Sequence, residues 1–278
     1  MEIRCYKSGS ELFAAVGPML TTRESEHSLL LGFAQSERPF IGCELALAAF
    51  HGNEPQAALL QTSINEAILS RADIAAAEAL GRALAESSPT SLGLVGPASA
   101  SDAAAGAFAA RAGVALRLER QLLLYALAAE PRAGVGTTIS SIFRPAERGE
   151  ASMLIGWVEG FERDTRTPAH TCRAEERVQQ GLASGRLFVL EAAGQLVAMA
   201  SWSRPTANTK TINCVYTPPE HRGRGYGRAV TVRLTTHLLA LGTRDILLFT
   251  DADDPTPNRL YRRVGFEPTA AFTHWAFV

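Results

Sequence analysis

The chain has 278 residues, 46% of them hydrophobic and 20% charged, and a formal net charge of -1 at pH 7. That apolar fraction supports a packed core and excludes a disordered or collagen-like chain, and at roughly 100–200 residues per domain the length holds one large domain or two ordinary ones. Near-neutral charge argues against wrapping nucleic acid or coating an anionic membrane, since both need an excess of Lys and Arg.

Apolar periodicity and turn residues predict helices at Glu11–Leu20 and Ser25–Ser36, then strands at Cys43–Phe50 and Gln56–Ile64. A helix at Ala72–Glu86, a strand at Leu92–Val95, a helix at Asp102–Ala112 and a strand at Arg117–Ala126 complete the first half. The segment Ala129–Arg148, with Pro131, Gly134, Gly136 and Pro145, reads as a break and divides the chain into 1–130 and 131–278. Beyond it the pattern gives helices at Glu147–Arg163 and Ala174–Ser184, and strands at Arg186–Ala192, Gln195–Ser203 and Lys210–Tyr216. A helix at Gly225–Leu241, a strand at Asp245–Phe249, a helix at Thr256–Val264 and a strand at Thr269–Phe277 follow. The two halves end alike: strand, helix, a glycine (Gly113 or Gly265) and a last strand. Internal duplication accounts for this echo, and so does coincidence in an Ala-rich chain.

Cys5, Cys43, Cys172 and Cys214 lie far apart with no CxxC pair, which is neither a zinc site nor a disulfide framework, so reduced thiols and no metal are expected. Residues 1–20 carry Glu2, Arg4, Lys7 and Glu11 and lack the apolar core of a signal peptide, and Ala98 to Ala110 is too short and small-residued to span a bilayer. A cytoplasmic chain with no nucleic-acid or membrane partner is the expectation.

The informative segment is Val215–Arg228, VYTPPEHRGRGYGR. A strand ends, two prolines stop it, and a Gly/Arg turn opens a long helix. Glycines let successive backbone N–H groups converge on one anion, the helix N-terminus adds its positive end, and Arg222, Arg224 and Arg228 add charge. A P-loop needs GxxxxGK[ST], and there is no Lys. A dinucleotide fingerprint needs GxGxxG, whereas Gly227 is followed by Arg228, and only 51 residues remain after Gly227. A plain flexible turn is the remaining bland reading.

The run Arg222-Gly-Arg-Gly225-Tyr-Gly227 resembles the [QR]-x-x-G-x-[GA] signature of the GNAT family of acyl-CoA-dependent N-acetyltransferases, with the family's V/T-x-P-E-x-R lead-in at Thr217–Arg222. Downstream, Asn258-Arg-Leu-Tyr261-Arg-Arg-Val-Gly265-Phe266 is similar to a shortened form of the family's second signature. The resemblance covers residues 131–278. It implies an α+β fold, a mixed and mostly antiparallel sheet flanked by helices (the acyl-CoA N-acyltransferase fold), here with two GNAT-like units. It also implies acetyl-CoA as cosubstrate and a small-molecule amine as acceptor, attacking directly in a ternary complex. The rival is a non-catalytic acyl-CoA-binding sensor.

By the same resemblance, Val215, Tyr216 and Thr217 pair with the pantetheine arm, and the Val215 N–H polarises the thioester carbonyl. Arg222, Gly223, Arg224, Gly225, Tyr226, Gly227 and Arg228 bind the pyrophosphate, mostly through backbone. Tyr261 protonates the leaving sulfur, its alternative being a core tyrosine. Asn258 contacts the coenzyme arm, its alternative being a helix N-cap after Pro257. No general base is legible. Glu159, Glu162 and Asp164 read as a solvent-facing acidic cluster in preference to an amine site, and Glu220, Asp251, Asp253 and Asp254 read as solvated. Cys214 reads as a buried thiol, and His221 and His274 as bystanders. Arg228, Arg233, Arg259, Arg262 and Arg263 suggest the coenzyme's 3′-phosphate more economically than RNA. The first half has no RxxGxG run and sets Ala109 opposite Tyr261, so it reads as a degenerate unit acting as scaffold and as one wall of the acceptor cleft. Oligomeric state is not encoded in these motifs.

Overall fold

A computed structural model of the chain describes residues 1–35, 43–128, 130–131, 140–167 and 173–278. Ser36, much of the expected break at 129–148 and Cys172 lie outside the described residues. The first run of elements is β1 (Glu2–Tyr6), α1 (Gly9–Thr21), α2 (Ser28–Ala34), β2 (Cys43–His51), β3 (Glu54–Thr62), β4 (Glu66–Leu69), α3 (Ile74–Ser87), β5 (Gly93–Pro97), α4 (Ala98–Ala112) and β6 (Leu116–Leu127). The second is β7 (Ile142–Pro145), α5 (Ala151–Asp164), α6 (Ala174–Ala183), β8 (Leu187–Ala192), β9 (Gln195–Ser203), β10 (Thr209–Tyr216), α7 (Tyr226–Ala240), β11 (Asp245–Asp251), α8 (Pro255–Val264) and β12 (Phe266–Phe277). The two runs have the same order, and their strands pair alike: β1–β2–β3–β4 antiparallel then β4–β5 parallel, and β7–β8–β9–β10 antiparallel then β10–β11 parallel.

The described strands make one 12-stranded sheet, ordered β1-β2-β3-β4-β5-β12-β6-β11-β10-β9-β8-β7. Its centre is a crossover between the runs. β6 lies between β12 and β11, and β12 lies between β5 and β6, so each run's last strand is built into the other's part of the sheet. β6 and β12 run antiparallel from Phe266↔Leu127 to Phe277↔Leu116. Strand alternation sends Leu47, Leu59 and Leu94 toward α3 and α4, where Phe108 stacks on Phe277 with centroids 3.8 Å apart. The opposite pleat sends Ala46, Ala48, Phe50 and Leu60 toward α1 and α2. In the second run Ile212, Ile246 and Leu248 pack with α7 and α8, and Val189, Met199 and Tyr216 with α5 and α6.

Three strands escaped the sequence reading. β1 (EIRCY) and β7 (IFRP) are short edge strands with mixed polarity. β4 is only four residues long and lies in the stretch left unassigned between the expected strand Gln56–Ile64 and the helix at Ala72: the chain turns after Thr62 through Asn65 at φ 63° and returns as Glu66–Leu69. The ends of α4 and α8 match as expected, with the Gly113 N–H donating to Ala109 O at 2.9 Å and the Gly265 N–H to Tyr261 O at 3.2 Å.

His27 ties the α1–α2 junction together. Its ring is 3% exposed; Nδ1 donates to Leu20 O at 2.7 Å and Nε2 accepts from the Arg71 N–H at 3.1 Å. Those partners require the neutral ring, and burial pushes its pKa below the ordinary 6.5. The unfolded chain therefore binds the extra proton first, so this contribution is complete above about pH 6.5 and is lost as pH falls toward the folded-state value. The melting temperature should drop between pH 7.5 and pH 5.5, and His27→Gln, which keeps one donor and one acceptor, should flatten that drop.

Candidate active site

β10 and β11 pair from Thr209↔Asp245 to Ile212↔Leu248 and no further, so the last residues of both strands diverge. On its other side β10 pairs with β9 at Asn213↔Ser201 and again at Tyr216↔Met199, with a register shift between. Cys214 and Val215 stand opposite the single Ala200 in this bulge and have a ladder partner on neither side. Cys214 has φ 47°, a left-handed conformation that costs a non-glycine residue about 1–3 kcal/mol and is held in place by its surroundings. Asn213 anchors the start of the bulge, accepting from Ser201 Oγ and donating through Nδ2 to Ser203 Oγ. Tyr216 anchors the end, its ring 7% exposed and 6.4 Å from Trp157, with its hydroxyl against Gly160 where a Cβ would collide. The bulge is thus fixed at both ends, and its backbone faces the opening between the strands.

The turn behind it folds as expected. Pro219–His221 makes one 3-10 turn, Gly223 and Gly225 take φ 77° and 83°, and Gly225 caps α7 without a side chain. Gly227 sits close under Thr217 Oγ1, 3.3 Å from where its Cβ would be. Among the described residues no acceptor meets the backbone N–H groups of Gly223, Arg224, Gly225, Tyr226, Gly227 or Arg228, and the first acceptance into the helix is Ala229 N to Gly225 O at 3.0 Å. The buried Arg228 Nε and His221 Nδ1 also lack hydrogen-bond partners there. Six such donors and a guanidinium lie together at one helix N-terminus, an arrangement with the chemistry to accept an anion. Arg222 differs from expectation: its Nε donates to Thr217 O at 2.9 Å and its Nη2 to Asp164, so it folds the turn back onto α5 and its charge is already countered.

Tyr261 stands on α8, partly buried, and its hydroxyl meets no hydrogen-bond partner among the described residues. Loss of hydration, with smaller effects from Cys214 and Asp254, holds its phenol well above the ordinary value of 10. Tyr261 and Val215 of the bulge pack against the same core. Asn258 corrects the sequence reading: Asp254, not Asn258, caps α8, accepting from Thr256 N at 2.9 Å. The Asn258 amide is fully engaged, Nδ2 donating to Asp251 O at 2.9 Å and Asp254 O at 2.6 Å, and Oδ1 accepting from Tyr125 Oη at 3.0 Å. It fastens the β11–α8 loop. Arg259, Arg262 and Arg263 line one cleft of about 520 Å³ beside it.

The acidic candidates separate. Glu159, Glu220, Asp253 and Asp254 are exposed. Glu162, expected at the surface, is 4% exposed and lies 3.5 Å from Arg177 Nε. Arg177 Nη1 in turn reaches Cys214 Sγ at 3.8 Å, so α5 and α6 brace the bulge from behind. His274 pairs with Glu66 at 3.0 Å in a buried contact between β12 and β4, away from the turn. Tyr125 and Arg177 were missed, and Glu162 read as solvent-facing, because only tertiary pairing brings them here; the apolar run around Tyr125 marks a buried strand but not its neighbour.

At the matching place the first run is built differently. Only four residues, Ser70–Asp73, join β4 to α3, and the Asp73 carboxylate caps the helix by accepting from Ala76 N at 2.7 Å. Its own negative charge fills the position an anion would take. Gly96 of β5 packs so closely on Leu69 that a Cβ would lie 3.0 Å from its backbone oxygen, so the strands do not open.

Residues 146–266 match the family model described as the acetyltransferase (GNAT) family. A mycothiol acetyltransferase of Actinosynnema mirum is 29% identical over 34% of this chain and 32% of its own length, and one of Thermobispora bispora is 33% identical over 28% and 29%. The matches thus span about a third of these curated relatives. Among solved structures, a GCN5-related N-acetyltransferase from Sphaerobacter thermophilus superposes with TM-score 0.63 at 17% identity, covering 99% of this chain and 95% of that one. A tandem GNAT protein from the clavulanic acid biosynthesis pathway gives 0.57 at 16%, covering 99% and 98%. At these identities the likeness is one of fold, and it extends over the whole chain.

Proposed function

Because residues 146–266 belong to the acetyltransferase (GNAT) family, we propose that the chain moves an acetyl group from acetyl-CoA to the amine of a small molecule by direct attack in a ternary complex. The observation that carries the reading is the row of N–H groups from Gly223 to Arg228 that meet no acceptor among the described residues, at the helix start that follows the strand β10 as it parts from β11. When bound, acetyl-CoA supplies the activated acetyl thioester. The turn N–H groups and Arg228 hold its pyrophosphate, and the free backbone edge of Val215, Tyr216 and Thr217 pairs with its pantetheine amides. The Val215 N–H, in an unpaired bulge held at both ends, donates to the carbonyl oxygen as charge develops there. Tyr261, kept protonated by its dry surroundings, gives its proton to the departing sulfur. Residues 131–278 do this chemistry, and residues 1–130 form a silent unit whose own anion position is closed by Asp73.

Thiol release from acetyl-CoA with a panel of amino sugars, amino acids, polyamines and aminothiols tests the reading, the last class included because of the mycothiol acetyltransferase matches. Turnover with at least one amine is expected. Tight coenzyme binding with no thiol release from any of them would make the chain an acyl-CoA sensor. Tyr261→Phe should lower kcat about 100-fold while changing coenzyme affinity less than about twofold, by calorimetry. An unchanged kcat would remove its role as the acid.

A further inference from the structure

The crossed-over strand carries more than packing. Tyr125 lies on β6, in the run that lacks the phosphate turn, yet it is 0% exposed and its side chain belongs to the core of the other run. Its hydroxyl donates to Asn258 Oδ1 at 3.0 Å and accepts from Arg262 Nε at 3.2 Å. Its ring lies 6.5 Å from that of Tyr261. The three partners occupy successive turns of one face and edge of α8, Asn258 one turn before Tyr261 and Arg262 directly after it. The bond to Oδ1 also fixes which way the Asn258 amide points, and so holds Nδ2 on the Asp251 and Asp254 carbonyls. Those bonds set where the β11–α8 loop ends and the helix begins.

We propose that Tyr125 is a positioning residue for Tyr261: the first run reaches across the sheet and fixes, through Asn258 and Arg262, the rotation and depth of α8 that aim the Tyr261 hydroxyl into the gap between β10 and β11. This rests on the assignment of Tyr261 as the acid. It gives the otherwise silent run a part in catalysis that no sequence motif shows, because the link consists of one phenol on a strand whose neighbours are chosen by the crossover. Leu260, Tyr261 and Val264 keep α8 packed on the core when the hydroxyl goes, so the helix shifts and does not detach, and a displacement of an ångström or less at the reacting atoms is felt strongly in rate.

Tyr125→Phe removes the hydroxyl and keeps the ring. With the best amine from the panel above, kcat should fall about tenfold while the KM for acetyl-CoA and the calorimetric Kd for CoA change less than about twofold. A loss of stability alone would leave kcat per folded molecule unchanged, and that outcome would overturn the proposal. The double variant Tyr125→Phe, Tyr261→Phe distinguishes acting through Tyr261 from acting elsewhere. If Tyr125 works through Tyr261, the second change costs nothing beyond Tyr261→Phe alone; if the two losses multiply, the proposal fails. Should Tyr261→Phe itself leave kcat intact, the acid assignment falls, a result distinguishable from Tyr125→Phe having no effect while Tyr261→Phe does. A readout free of turnover is the ¹³C resonance of the Tyr261 Cζ in labelled, CoA-bound protein, assigned by its disappearance in Tyr261→Phe. Tyr125→Phe should shift it, and an unmoved resonance would refute the link.

Discussion

Residues 131–278 produced without the first run are expected to fail as a folded, coenzyme-binding unit. β6 supplies the partner of β11 from Leu247↔Ala126 to Asp251↔Leu122, and it is the sole described strand between β11 and β12. Its removal exposes both of their edges and also takes away β5, the other partner of β12. Leu124 and Tyr125 are fully buried, and each large apolar side chain of this kind contributes about 1.5–3 kcal/mol against a whole-protein stability of about 5–15 kcal/mol. Glu24, between α1 and α2, accepts from Thr206 Oγ1, the Asn208 N–H at 2.9 Å and Asn208 Nδ2 at 2.6 Å, so the β9–β10 connection is also tied to the first run. Circular dichroism and hydrogen exchange should find the isolated segment without a cooperative transition, and calorimetry should find no binding of CoA. Coexpression with residues 1–130 as a separate chain should recover both, since the crossover needs the strands and not their covalent link. A monomeric, cooperatively folded 131–278 that binds CoA would mean that β12 can move over and pair with β11 by itself.

Local conformation was legible in the sequence, and pairing was not. The turn at Arg222–Arg228 could be read because each residue answers a local demand: glycine where φ is positive, a strand before and a helix after. The echo ending at Gly113 and Gly265 was legible for the same reason, as both glycines close a helix. Nothing local says that Leu116–Leu127 pairs with β11 and β12 and not with β5. Periodicity identifies a strand and its buried face, but the neighbour is decided by contacts more than a hundred residues apart. The same limit hid Glu162, whose charge on a helix predicts solvent until the tertiary fold sets it 3.5 Å from Arg177 Nε, and it hid the engagement of Asn258 by a tyrosine from the other run.

Gly225→Glu should weaken CoA binding by about 100-fold or more in calorimetry, and the first run shows why. At the start of α3 the carboxylate of Asp73 accepts from Ala76 N at 2.7 Å, and that end of the helix has its negative charge from within. At the start of α7 the cap is a glycine at φ 83°, and the N–H groups from Gly223 to Arg228 are left open. A glutamate at 225 would bring a carboxylate within reach of those donors, and any phosphate would then meet a like charge where it now meets only N–H groups. The left-handed backbone adds a strain of about 1–2 kcal/mol, which Gly225→Ala measures separately. Alanine should lower the melting temperature as much as glutamate does, yet leave the CoA Kd within about tenfold of the parent, because the N–H groups stay open. Equal binding by the glutamate variant would show that the pyrophosphate lies elsewhere. The reverse change, Asp73→Gly, should create no second coenzyme site: the connection there is four residues long, and Gly96 packed on Leu69 keeps β4 and β5 closed along the path a pantetheine arm would need.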